Sequence, residues 1–237
     1  TGVQTCALPI CYKFHFWIII YKCNKVAIQK KEILIYKVLF YGSRKINNKG
    51  QATIFKNKYL ETLTKAHPLL IWSIYSPILI LFPYLAIVKY SIGIFLACII
   101  FISGIIWWTL TEYCLHRFVF HFYPKSNLGK RIIYIIHGNH HQFPRDKVRL
   151  FMPPIPSLMI ASLFFVSYFI ILLKYAYAFF PGFMLGYLLY GSIHYAIHAF
   201  APPFPWLKTL WKNHHLHHYK TDHRSEEHTS ELQSRVD

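Results

Sequence analysis

Four long apolar runs, separated by polar or cationic stretches, dominate the chain. They extend over about Leu69–Val88, Ser91–Leu110, Ile155–Leu173 and Ala176–Ala199. Each approaches the roughly 20 residues that an α-helix needs to cross the hydrocarbon core of a bilayer. The first contains Pro77 and Pro83, the second Gly93 and Gly104, and the fourth has Pro181 near its start. A fifth run, Phe14–Tyr21, is too short to span, and the Lys-rich stretch after it reads as cytoplasmic or interfacial. The pattern predicts four membrane helices, with a polar loop (Thr111–Pro154) between the second and third.

Cations orient these helices, because Lys and Arg favour the cytoplasmic side. Twelve lie between Tyr12 and Pro68. The middle loop holds Arg117, Lys125, Lys130, Arg131, Arg145, Lys147 and Arg149, and Lys208, Lys212, Lys220 and Arg224 follow the fourth run. The two connections on the other side hold only Lys89 and Lys174. The expected architecture is therefore an all-α, multi-pass integral membrane protein. Two helical hairpins would leave both termini and the middle loop in the cytoplasm.

Composition agrees with a membrane protein. Apolar residues make up 54% and charged residues 15% of the 237 positions, where a soluble domain carries about 25% charged. The net charge of +17 would suggest nucleic acid in a polar chain, but here it follows topology and attraction to anionic lipid. No nucleic-acid partner is expected. The five Cys show no CxxC spacing, so neither a disulfide framework nor a zinc ribbon is indicated.

Both ends look foreign to the protein. Thr1–Ile10 (TGVQTCALPI) and Arg224–Asp237 (RSEEHTSELQSRVD) resemble translated sequencing-adapter strings, and the tail holds four of the nine acids. The expected organisation is an adapter-like 1–10, a basic cytosolic segment 11–49, one membrane domain 50–223 cut short at its C-terminus, and an adapter-like 224–237.

Histidine carries the chemistry. Fifteen are present, and ten fall into four groups. His116 and His121 form HRFVFH, and His137, His140 and His141 form HGNHH. His194 and His198 form HYAIH, and His214, His217 and His218 form HHLHH. Every group lies at or below the same predicted membrane face. Residues three or four apart share a helix face, so HxxHH and HxxxH present their imidazoles together. His116 and His121, five apart, sit roughly 140° apart on a straight helix. Either they flank a site and reach different metals, or a local π-bulge brings them together.

Neutral imidazole suits iron, zinc or copper, and ten such groups exceed what one ion can hold. Two metals are the natural inference. The nearby acids, Glu112 and Asp146, fit partners for the imidazole N–H groups better than ligands. His15 and His67 read as satisfied core residues, and His223 and His228 carry no role. His215 adjoins His214 but falls outside the HxxHH spacing. Trp107, Trp108, Trp206 and Trp211 read as interfacial aromatics, and Cys114 as a helix-packing residue.

The ordered motifs HRFVFH, HGNHHQFPRDKVRLFMPP, HYAIH and HHLHHYK resemble the fatty acid hydroxylase/sterol desaturase superfamily. The second motif and the segment GQATIFKNKYLETLTKAHP (Gly50–Pro68) are most similar to fatty acid 2-hydroxylases. The resemblance runs from about Gly50 to Lys220. It implies a four-helix anchor carrying a cytosolic helical cap with a histidine-only dimetal centre. The ligands it implies are the ten clustered histidines, with two iron ions, zinc being a substitute. It also implies O₂-dependent hydroxylation at C2 of a long-chain fatty acyl lipid, often bound for sphingolipids. Arg145, Lys147 and Arg149 are candidates to hold the acyl carboxylate or head group, although positive-inside topology alone also accounts for them.

Two departures shape the expectation. No cytochrome b5-like segment with an HPGG motif is present, so electrons would come from a separate donor, cytochrome b5-like or ferredoxin-like. The glycine-containing segment that follows the last histidines in the family is absent too, which bears on the activity of this exact chain. The expected location is a bacterial inner membrane or the endoplasmic reticulum, with the site on the cytosolic face. Rival readings are a sterol oxidase or desaturase, a carotenoid hydroxylase, and a non-catalytic membrane metal-binding or transport protein. Transport would place His and acids along mid-span, and the first three runs have none.

Overall fold

The computed structural model describes residues 46–122 and 124–219. The adapter-like 1–10, most of the basic segment 11–49, the tail 224–237, and His15, His223 and His228 lie outside the described residues. The described chain is all-helical: α1 (Lys58–Thr62), α2 (Pro68–Tyr84), α3 (Ile94–Cys114), α4 (Asn127–Ile133), α5 (Asn139–Gln142), α6 (Pro154–Leu172), α7 (Ala176–Ala199) and α8 (Lys208–Tyr219). π-helical segments extend α2 over Leu85–Lys89 and α3 over Leu115–Phe120, and a third, Tyr134–Gly138, joins α4 to α5.

Among the described residues, three stretches are long and apolar enough to cross a membrane: Pro68–Lys89, Ile94–Phe120 and Lys147–Ala199. The last contains both α6 and α7, joined by a turn in which Leu173 takes φ 51°. Pro68 opens α2 where its missing N–H costs nothing. His67 caps that helix, Nδ1 accepting from the Leu69 N–H at 3.3 Å. It is exposed, so it is a cap and not the core residue that the sequence suggested.

Helix α7 is central, packing against α2, α3 and α6. In lipid, apolar surface alone gives helices little reason to associate, and close backbone approach supplies the contact instead. Gly104 and Gly182 make that approach possible. A Cβ at Gly104 would sit 2.2 Å from the Phe179 carbonyl oxygen, and one at Gly182 would sit 1.9 Å from that of Phe101. Trp108 lies over Gly186, edge-on to Phe183 at 5.0 Å and Tyr187 at 5.3 Å.

Polar ties complete the bundle. The Tyr75 and Ser157 hydroxyls lie 2.6 Å apart between α2 and α6. The Trp72 indole donates to Ser192 Oγ (3.0 Å), and Trp107 donates to the Tyr168 hydroxyl (3.1 Å). Trp107 and Trp206 are exposed, as a belt requires. Trp108 and Trp211 are buried, the latter donating to the Phe200 carbonyl at 2.9 Å, so those two serve packing. Cys114 is exposed.

A polar clamp holds the segment before α2 against the middle loop. The Asn47 N–H donates to the Gln142 carbonyl and the Ala66 N–H to that of Val148, both at 2.8 Å. Glu61 Oε2 accepts from the Ile54 (3.0 Å) and Phe55 (2.8 Å) N–H groups, while Oε1 pairs with Arg149. Asp146 Oδ2 accepts from Arg149 at 2.7 Å and from the Ala52 N–H at 3.2 Å. This buried pairing fixes the loop that carries the second histidine group.

Candidate metal centre

Four helix ends deliver the imidazoles to one place. The first comes off the end of α3. In a π-helix the repeat is i→i+5, so residues five apart come onto one face. The π segment Leu115–Phe120 does this for His116 and His121, whose Nε2 atoms lie 3.2 Å apart. Of the two arrangements open from the sequence, the π-bulge is the one adopted.

The second group straddles the π segment Tyr134–Gly138 and α5. The bulge frees backbone carbonyls, and the Asn139 side chain donates to two of them, Tyr134 (3.1 Å) and Ile135 (2.6 Å). His137, His140 and His141 are all buried. His194 and His198, one turn apart at the end of α7, have ring centroids 4.9 Å apart. His214, His217 and His218 ride on α8, which Trp211 anchors.

Nine of the ten histidines form two sets. His140, His194, His198, His214 and His218 make one, and His116, His121, His137 and His217 the other. Within each set the candidate ligand nitrogens all lie within 4.8 Å of one another. Each HxxHH motif is split between the sets: His140 parts from His137, and His217 from His214 and His218. His141 sits at the seam, Nε2 2.9 Å from that of His137 and its ring stacked 4.4 Å from that of His218.

The spacing suits metal binding. A zinc-like ion bonds imidazole nitrogen at about 2.0–2.1 Å, which puts neighbouring ligand atoms about 3 Å apart. Here His198 and His214 Nε2 are 2.7 Å apart, His194 and His140 3.0 Å, His218 and His214 3.1 Å, and His116 and His217 3.3 Å. Burial, reinforced by the neighbouring imidazoles, holds His137, His140, His141, His214 and His218 well below the ordinary histidine pKa. They are neutral at pH 7, the form that binds metal. The residues present fit a pair of imidazole-bound ions.

The other sequence candidates take different places. Glu112 is buried one turn before His116, its Oε1 3.9 Å from His116 Nδ1, and it hydrogen-bonds Tyr190. Tyr190 in turn stacks on His194 (24° between rings). Asp146 pairs with no histidine among the described residues: Oδ2 holds Arg149 and the Ala52 N–H, and Oδ1 is buried without a hydrogen bond. The Arg149 guanidinium is enclosed by Glu61, Asp146 and Thr64, which removes it from the surface where a substrate carboxylate would arrive. Arg145 and Lys147 remain exposed. His215 lies outside both sets, with a buried Nδ1 that makes no hydrogen bond.

Sequence reasoning missed Glu61, which pairs with Arg149 across 88 positions. Only its local half was legible, as an acid in the first turn of α1 after the capping Asn57.

An all-helical scaffold whose apolar helices end in a two-part imidazole nest defines a class of membrane polyhistidine proteins. Comparison with known proteins resolves the class further. The family model described as fatty acid hydroxylase matches residues 101–232, and the chain belongs to that family. The ceramide very long chain fatty acid hydroxylase of Saccharomyces cerevisiae is 39% identical over 183 residues, covering 73% of this chain and 45% of its own length. A dihydroceramide fatty acyl 2-hydroxylase of Arabidopsis thaliana is 42% identical over 122 residues, 51% of this chain and 52% of that protein. The chain thus spans about half the length of these curated relatives. A solved structure of full-length scs7p, in which only the hydroxylase domain is visible, superposes with a TM-score of 0.67 at 38% identity. It covers 73% of this chain and 65% of that one.

Proposed function

We propose that this protein is a membrane-bound di-iron monooxygenase that hydroxylates C2 of long-chain fatty acyl groups. His116, His121, His137, His140, His141, His194, His198, His214, His217 and His218 are its ligand set. The observation that carries the reading is the convergence of two imidazole sets from four separated motifs. The relatives' names, which specify fatty acyl and ceramide hydroxylation, supply the substrate class.

The chain crosses the bilayer four times. As one straight helix the 53 residues of Lys147–Ala199 would extend about 80 Å at 1.5 Å per residue, against a core of about 30 Å. The left-handed Leu173 divides them into two crossings. Both α3 and α7 then end at the imidazole nest, on the cation-rich cytosolic face.

When bound, a pair of iron ions would supply activation of O₂ toward the acyl C–H bond, with electrons from a redox donor. The chain contributes placement. Burial of the imidazoles keeps water from the reactive centre. Glu112 faces His116 and reaches the other set through Tyr190, so it orients both. Arg145 and Lys147 offer charge-assisted donors to the acyl carboxylate or head group.

The test is expression in a host membrane with a redox partner, followed by lipid analysis. Wild type is expected to yield 2-hydroxy acyl lipids and His140→Ala none. A wild type that binds metal yet makes no 2-hydroxy product, or a fully active His140→Ala, overturns the reading.

A further inference from the structure

We propose that the helical run Asn127–Gln142 and the aromatic turn 200–206 are seated in the head-group layer of an anionic leaflet, so that the imidazole nest lies at bilayer depth. The run is continuous through α4, the π segment and α5. One side carries Leu128, Ile132 and Ile136 at successive four-residue steps, 69%, 45% and 42% exposed. His137, His140 and His141 on the same run are buried in the nest.

A single exposed Leu is ordinary. Three along one helical face make a patch, and Phe118, Val119 and Phe122 are also exposed at the end of α3, whose π segment packs against Tyr134–Gly138. Charge selects the occupant. Lys125 and Arg131 are exposed beside the patch, and no acid occurs between Glu112 and Asp146. An apolar face bordered by cations is the pattern of a helix lying in the membrane interface. Because the run packs beside the end of a helix long and apolar enough to cross a membrane, bilayer fits it better than a protein partner.

The turn after α7 makes the same point independently. Phe200, Phe204 and Trp206 are exposed, Trp206 at 75%. The Phe204 and Trp206 rings stack 5.9 Å apart and 7° from parallel. Exposed Lys208 and Lys212 follow. Aromatic rings followed by lysines are the interfacial anchors of membrane proteins. His121 immediately precedes Phe122 and His198 lies two residues before Phe200, so both anchors border the nest.

The consequence rests on the hydroxylase reading, although the seating does not. C2 adjoins the acyl head group, and a nest at head-group depth reaches it without drawing the chain out of the bilayer.

The experiment uses metal-loaded full chain in nanodiscs of phosphatidylcholine and phosphatidylserine. Spin labels are placed, in a cysteine-free background, at Leu128→Cys, Ile132→Cys, Trp206→Cys and, as a water-facing control in α1, Lys58→Cys. Labels at 128, 132 and 206 are expected to collide more with O₂, which concentrates in lipid, than with an aqueous nickel chelate; the label at 58 should do the reverse. Predominant nickel collisions at 128, 132 and 206 overturn the seating, and so does exclusion of both reagents, which would mean cover by protein. Wild type and Trp206→Phe are also compared for quenching by brominated lipid, which needs no label. Loss of a quenched component in the variant is expected, and equal quenching counts against the proposal. Neither readout depends on catalysis, so a failed seating leaves the hydroxylase reading intact, and the converse.

Discussion

The two imidazole sets are built differently. The five-membered set draws His194 with His198 and His214 with His218 from regular α-helix, each pair one turn apart, and adds only His140 from the loop. The four-membered set takes His116 and His137 from π-helical segments and His121 from the residue that ends the first of them. Regular helix delivers i,i+4 pairs without further adjustment. Five-residue spacing is delivered only where the backbone is underwound into a π-bulge. The four-membered set is thus the one whose geometry depends on a local backbone distortion, and it is also the one flanked by Glu112.

The largest expected effect comes from removing the contribution that crosses between motifs. His140→Ala takes the loop's only member from the five-membered set, and its metal and all hydroxylation should be lost. Metal analysis of purified protein checks this against wild type holding about two ions.

Inserting an alanine after Val119, an exposed residue within the first π segment, breaks the comparison directly. The two histidines are then six apart, and at about 100° per residue the added position turns His121 away from His116. The four-membered set should lose its ion while the five-membered set keeps its own, halving the metal content. Equal loss from both sets would show that the bulge does not separate them.

Arg149→Leu sharpens the comparison by acting on both sets alike. It strands the part-buried carboxylate of Glu61 and the buried one of Asp146 behind the loop that carries His137 and His140. The expected destabilisation is about 3–5 kcal/mol, read as a lowered melting temperature in detergent together with reduced occupancy of both metals. Selective loss of one ion would contradict the clamp's shared role.

Glu112→Gln is milder. It keeps the shape and the Tyr190 contact but removes the charge facing His116. Affinity of the four-membered set should fall about 10–100-fold, measured by competition with a chelator, while Glu112→Asp restores part of it. The smallest effect is on pH dependence. In the unfolded chain the nest histidines titrate near 6.5, while burial depresses them in the fold. Below that pH the unfolded chain takes up protons that the fold resists. Stability of the metal-free protein is therefore complete above about pH 6.5 and falls as pH drops toward the depressed values. Thermal melts from pH 7.5 down to 5 check the sign.

The sequence alone determined the apolar segments, because burial in lipid requires nearly every residue of a crossing to be apolar. The run Ala176–Ala199 even has the bounds of α7. It also marked the candidate ligands, since ligand spacing on a helix is a local property written in consecutive positions. Tertiary structure decided the partition. That His140 belongs with His194 and not with His137, that Arg149 answers Glu61 and Asp146 and not an acyl carboxylate, and that Trp108 packs over Gly186 are pairings between distant segments. Such pairings depend on how four helix ends meet, and no local pattern encodes that meeting. The His116–His121 bulge lies between the two cases. The spacing raised it as one of two arrangements, and only the need to bring both rings to a shared centre selected it.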